Sequence, residues 1–121
     1  MNGSVGATQI ALQFRLTMPP GSAAEEVHMH GRRVMEELLG LEKLNGDFTD
    51  STVSTDAGMK TLTVELLVLG DRDIGGVLGR ALDLIRTAFH AAGSATPRWP
   101  SVNEQPERVN MEKAHDLAAN A

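Results

Sequence analysis

Along residues 8–18 apolar and polar side chains alternate without a break, Ile10, Leu12, Phe14, Leu16 and Met18 against Gln9, Ala11, Gln13, Arg15 and Thr17. A period of two marks an extended strand with one buried face. Pro19-Pro20-Gly21 ends it, because proline donates nothing to a ladder. Residues 60–70 repeat the pattern, with Leu62, Val64, Leu66 and Val68 on one face and Thr63, Glu65, Leu67 and Leu69 on the other. One face is apolar throughout and the second is apolar at its C-terminal end, which is the signature of a central strand. The rest of the chain is expected to be arranged around it.

Between these strands the period changes. Ser22 stands three residues before Glu25, the spacing of a capping box. Beyond it Val27, Gly31, Val34, Leu38 and Leu41 form one helical stripe, with Glu25, Arg32, Arg33, Glu36 and Lys43 projecting the other way. Gly31 in that stripe lowers helix propensity by about 1 kcal/mol relative to alanine, so it is either a tolerated glycine or one that lets the helix approach the sheet closely. Asn45-Gly46-Asp47 marks the helix end. Residues 48–55 read as a weak edge strand, and Asp56-Ala57-Gly58 supplies a hairpin turn. After Gly70, Asp71 or Asp73 is positioned to cap a second helix whose wide apolar face runs from Ile74 through Val77, Ala81, Ile85, Ala88 and Phe89 to Ala92, with Gly93 as its C′ residue.

The order β-α-β-β-α predicts an α+β fold of the ferredoxin-like, open split-βαβ kind, an antiparallel sheet with two helices on one face. A right-handed crossover places the first strand beside the third and the weak strand on the third's other side, leaving the first strand with a free edge. Residues 1–7 are expected to be flexible, 8–103 to form a single domain, and 104–121 to be a mobile, dispensable polar tail in which Val109, Met111, Ala114, Leu117 and Ala118 make at most a short helix. Val53-Ser54-Thr55-Asp56, Thr63-Val64-Glu65-Leu66-Leu67-Val68, residues 85–93 and Ala95-Thr96-Pro97-Arg98-Trp99-Pro100 resemble a family of small actinobacterial proteins of unknown function over about residues 8–100. The shared segments are strand and helix core, so the resemblance implies a boundary near Pro100 and no activity.

Composition narrows the chemistry. There is no cysteine, which excludes disulfides and thiolate metal sites and suits a reducing, cytoplasmic setting. Sixteen acidic and eleven basic residues leave a charge of −5, and three Phe, one Trp and no Tyr offer few stacking platforms, so nucleic acid is a poor partner. No apolar run is long enough to span a bilayer. His28 and His30, two apart on a helix, point about 200° away from each other and read as border histidines rather than metal ligands. Asp83, Thr87 and His90 share the exposed face of the second helix, where nucleophilic catalysis lacks desolvation and oxyanion donors. Gly75-Gly76 with Gly79 lacks the spacing of a phosphate loop. No catalytic residue, metal site or cofactor motif emerges.

The sheet face turned away from the helices is the most informative surface. It is expected to carry Gln13, Arg15 and Glu65 as the ligand-facing polar groups, with an Arg15–Glu65 pair across strands. Leu67 and Leu69 on the same face, together with Trp99 between Pro97 and Pro100, are expected at an interface. These features point to a non-catalytic homodimeric binding or regulatory module. The alternatives are a cofactor-free enzyme or ligand chamber enclosed between two sheets, as in dimeric α+β barrels, and a structural or assembly protein.

Overall fold

The alternating stretch at the start folds as β1, Ala7–Thr17, and the second one as β3, Thr61–Leu69. The computed structural model describes residues 6–70, 72–93 and 101–114. The remaining elements are α1 (Ala24–Leu44), β2 (Phe48–Asp56), α2 (Ile74–Ala91), β4 (Ser101–Val102) and β5 (Arg108–Ala114). The architecture is an open antiparallel sheet of five strands with two helices. β1 lies beside β3 in the register Leu12 to Val64, and β2 pairs with the other edge of β3, as the crossover argument requires.

One face of the sheet carries the core. Ile10, Leu12, Phe14, Leu62, Val64, Leu66 and Val68 are fully buried, and they form one cluster with Val27, Val34 and Leu38 of α1 and Val77, Ala81, Ile85, Ala88 and Phe89 of α2. Both helices therefore cover the same face. The Phe14 and Phe89 rings meet edge to face with centroids 4.8 Å apart, a geometry that aligns ring edge with ring face. A Cβ on Gly31 would lie 2.5 Å from Cγ2 of Thr55 and 3.6 Å from Cγ1 of Val53. The glycine in the stripe is thus the point where α1 closes onto β2.

The helix ends follow local chemistry with one change. Asp73 caps α2 by accepting a 2.7 Å hydrogen bond from the Gly76 N–H, and Gly93 beyond its end has φ +94°, a conformation glycine adopts without strain. At α1, however, the N-cap is Ala23, with the Glu26 carboxylate reaching back to the Ala23 N–H at 3.5 Å. Ser22 instead donates its hydroxyl to the Pro19 carbonyl at 2.6 Å. With its hydroxyl bonded to Pro19 and the N-cap one residue on at Ala23, the expected Ser22 to Glu25 box does not form.

The larger correction concerns the stretch after Glu104. Its described part is a strand over Arg108–Ala114, and β1 has no open edge there: β5 pairs antiparallel with β1 from Ala7/Ala114 to Gln13/Arg108, and β4 continues along the same edge at Leu16/Val102 and Thr17/Ser101. Between β4 and β5 six steps of chain face three steps of β1, so Asn103–Glu107 bulge outward. Asn103 N–H still reaches the Arg15 carbonyl at 2.9 Å and Glu107 N–H the Gln13 carbonyl at 2.7 Å. A strand with unmet donors and acceptors is a template for any nearby extended segment, and β1 supplies it. Trp99 and His115 lie outside the described residues.

Candidate functional site

The face opposite the helices is assembled from alternate residues of four neighbouring strands. Register sets its rows: Thr49, Leu67, Gln9 and Glu112; Thr52, Glu65, Ala11 and Asn110; Ser54, Thr63, Gln13 and Arg108. Most positions are amides, hydroxyls or charged groups that a sheet presents to solvent at a spacing of about 4.8 Å between strands.

Gln13, Arg15 and Glu65 all lie on this face, but they do not converge. Glu65 stands opposite Ala11 and Arg15 opposite Thr61, four residues out of step for the expected Arg15–Glu65 pair. Arg15 instead forms its ion pair with Glu107 of the bulge, where the Gln13 amide also donates to Glu107 at 3.3 Å. The hydrogen bond from Arg15, then that from Gln13, holds the Glu107 carboxyl below its ordinary range. Gln13 and Arg15 thus fasten the bulge to β1. Glu65 remains exposed, with the Thr52 hydroxyl at 3.5 Å.

Leu67 and Leu69 also differ from expectation. Leu67 is only 5 % exposed and Leu69 is half-buried, so neither leaves a greasy strip in solvent. What the face does offer is a shallow depression of about 430 Å³ lined by Gln9, Ala11, Glu65, Asn110, Met111 and Glu112. Ala11 forms its floor because the smallest side chain stands in the middle of a row of larger ones. The lining carries two carboxylates and two amides.

The histidines divide sharply. His28 is exposed and shares a 2.5 Å hydrogen bond with the Thr55 hydroxyl. His30 is fully buried, and neither ring nitrogen has a hydrogen-bond partner. That corrects the expectation of a border histidine with a wet edge. Burial, then the charge of Arg33, pushes its pKa down, so the ring is neutral at pH 7. His90 is exposed as expected, and it bonds Glu104 of the bulge at 2.6 Å with Arg86 4.0 Å away. Among the described residues no group of three or more His, Asp or Glu side chains is placed to hold a metal ion.

On the helix side, a cleft of about 660 Å³ opens between the first turn of α2 and the strands, lined by Thr8, Arg72, Ile74, Val77, Met111 and Lys113, among others. Arg72 at its rim is turned to Asp47 at 3.3 Å, and Asp47 also accepts from Arg80 at 2.6 Å. The Arg80 hydrogen bond keeps the Asp47 carboxyl low and the Arg80 guanidinium high. This cluster ties the start of β2 to α2 and leaves its charges answered within the protein.

Sequence reasoning missed Glu107, Arg108, Asn110 and Glu112, the contribution of the bulge and β5 to the face. Their signal was present as the alternation Arg108-Val109-Asn110-Met111-Glu112. Two apolar residues in a short stretch carry too little periodicity to separate strand from helix. No helix among the described residues is long and apolar enough to cross a membrane. No protein-family model, curated protein or solved structure matches the chain.

Proposed function

We propose that this chain is a non-catalytic, homodimeric binding module of ferredoxin-like, split-βαβ architecture, which presents the open face of its sheet to a polar ligand. The carrying observation is that face itself: both helices cover one side of the sheet, and on the other the Ala11 depression opens between Gln9, Glu65, Asn110 and Glu112. With two carboxylates and two amides but no cation in its lining, the depression suits a small ligand that is positively charged and rich in donors. The net charge of −5 points the same way and counts against nucleic acid. An enclosed chamber between two stacked sheets is the weaker reading. It needs an apolar seam, whereas Leu67 is already buried and the margins of the face carry Asp56, Arg108 and Glu112. A cysteine-free acidic module of this kind fits the reducing cytoplasm.

Titration calorimetry with spermidine as the probe, and citrate as the oppositely charged control, tests the reading. Spermidine should bind and citrate should not. Ala11→Trp, which fills the depression while leaving every charge in place, should abolish the spermidine heat without changing the circular dichroism spectrum. Absence of spermidine binding in the parent chain, or binding that survives Ala11→Trp, would overturn this ligand reading.

A further inference from the structure

We infer that β5 is the seam between two copies of the chain: the strands pair antiparallel about a two-fold axis through Asn110, joining two sheets into one. The inference rests on the homodimeric reading above and names its surface. It begins with the direction of the backbone groups. Leu16 N–H bonds the Lys60 carbonyl and Gly70 N–H bonds the Gly6 carbonyl, so the even-numbered residues of β1 face β3, while the carbonyls of Gln13 and Arg15 accept from Glu107 and Asn103 on the other side. Gln13, Ala11 and Gln9 are in register with Arg108, Asn110 and Glu112. Those three β5 residues therefore bond inward, and the N–H and C=O groups of Val109 and Met111 turn to the outer edge. Among the described residues no further strand lies there.

An antiparallel partner must bring Val109 and Met111 into hydrogen-bonded pairs, because in such a ladder paired residues exchange both bonds. A two-fold axis at Asn110 does so by setting Val109 against Met111 of the second copy, twice. The same register sets Arg108 against Glu112, also twice, in the closely spaced positions where opposite charges on neighbouring strands attract. Moving the axis to Met111 would set Asn110 against Glu112 and Val109 against Lys113, with no charge answered. Charged residues on an edge strand ordinarily deter pairing. Here their spacing is self-complementary, so they deter other strands and admit a second β5. Val109, 38 % exposed at the open edge, gains an apolar neighbour in the process. The joined sheet would carry two Ala11 depressions on one continuous face, each with its Glu112 met by Arg108 of the second copy and its Glu65 turned to the ligand.

A seam of one short strand is small, and interfaces of that size are weak and concentration-dependent. Sedimentation velocity on the full chain across a micromolar to millimolar series should show a reversible monomer–dimer equilibrium. Arg108→Glu places Glu against Glu across the axis and Glu112→Arg places Arg against Arg, so each variant alone should dimerise about tenfold or more weakly. Mixed in equal amounts, the two variants become complementary and should recover a heterodimer of near-parental affinity, a result that also shows both remain folded. If the parent dimerises and both variants dimerise equally well, the seam is elsewhere and only this inference falls. If the variants weaken but the mixture fails to recover, the two-fold register at Asn110 is wrong. A parent that stays monomeric at millimolar concentration removes the homodimeric reading and the seam with it.

Discussion

At one edge of the sheet β2 is irregular and held down, and at the other β5 is regular and, among the described residues, uncovered. β2 gains an extra residue between Thr49 and Thr52, and Asp50 within that bulge has φ +57°. The Ser51 N–H there is taken by the Glu42 carboxylate of α1 at 2.9 Å, so a backbone donor that could recruit a strand is already used. Gly31 lets α1 close over Val53 and Thr55, and Asp47 fastens the start of β2 to α2. Among the described residues β5 has no such closure along Arg108–Met111, whose residues are exposed or half-buried. Both edges face the same hazard of unwanted pairing, and they meet it by different means. β2 removes the template, while β5 keeps it and controls it with charge.

Removing β5 should have the largest effect. A chain ending at Asn103 loses the ladder from Ala7 to Gln13 and uncovers Leu12 and Ile10 beside it. With a net of about 0.5–1.5 kcal/mol for each backbone hydrogen bond, the N–H and C=O groups of Arg108, Asn110 and Glu112 together should account for at least about 3 kcal/mol of stability. That corresponds to a fall of roughly 10–20 °C in Tm for a domain of this size, read by differential scanning calorimetry. An unchanged transition would mean that β5 is an accessory strand and that the two edges differ less than described.

His30 sharpens the β2 side, because α1 buries it without a partner for either ring nitrogen. His30→Met puts a flexible apolar chain into the same space and should stabilise the protein by about 1–3 kcal/mol in urea denaturation, since unpaired buried polar atoms cost about that much. The pH dependence has a definite sign. With the folded pKa below the ordinary 6.5, the unfolded chain takes up the proton first, so stability is whole above about 6.5 and declines as pH falls towards the folded value. The methionine variant should lack that decline.

Gly31→Ala tests the closure of α1 on β2 directly. The gain in helix propensity, about 1 kcal/mol, opposes an overlap with the Thr55 methyl that costs about 1–3 kcal/mol. A net loss of about 1 kcal/mol is expected. Thr55→Ser removes the obstructing methyl and keeps the hydroxyl that bonds His28, so the double variant should recover the loss. Additive losses in that cycle would show that the helix does not rest on Thr55.

Asp47→Asn should cost the least, about 1 kcal/mol at pH 7, given a half-buried carboxylate bonded to two arginines. Its folded pKa lies below the ordinary 3.8, so the stabilisation is present above that value and is lost as pH falls through the folded one. Parent and variant should therefore converge in acid when their unfolding midpoints are compared across pH. A difference that persists at pH 2 would assign the effect to packing instead of charge.

Much of the fold was legible in the chain itself. Alternation over residues 8–18 and 61–69 set two strands and the face each would bury, and the helical stripes of residues 23–41 and 74–92 set two helices whose apolar sides needed that face. These follow from side-chain direction, a property of a few consecutive residues that no distant contact changes. The turn chemistry at Asp56 and Asp73 belongs to the same class, whereas the sequence left Gly31 open between a tolerated glycine and a close approach, and Thr55 on β2 decides it. The partner of Arg15 does not. Glu107 lies 92 residues away, and its position depends on the bulge by which β4 passes into β5. Likewise Arg108–Ala114 is a strand because β1 has donors and acceptors to satisfy, a requirement that its own few apolar residues do not express. Leu67 is buried and His30 is dry for reasons that arise only when the layers are stacked. Local periodicity decided which segments extend and which coil, and the pairing of edges across the chain decided which polar groups meet.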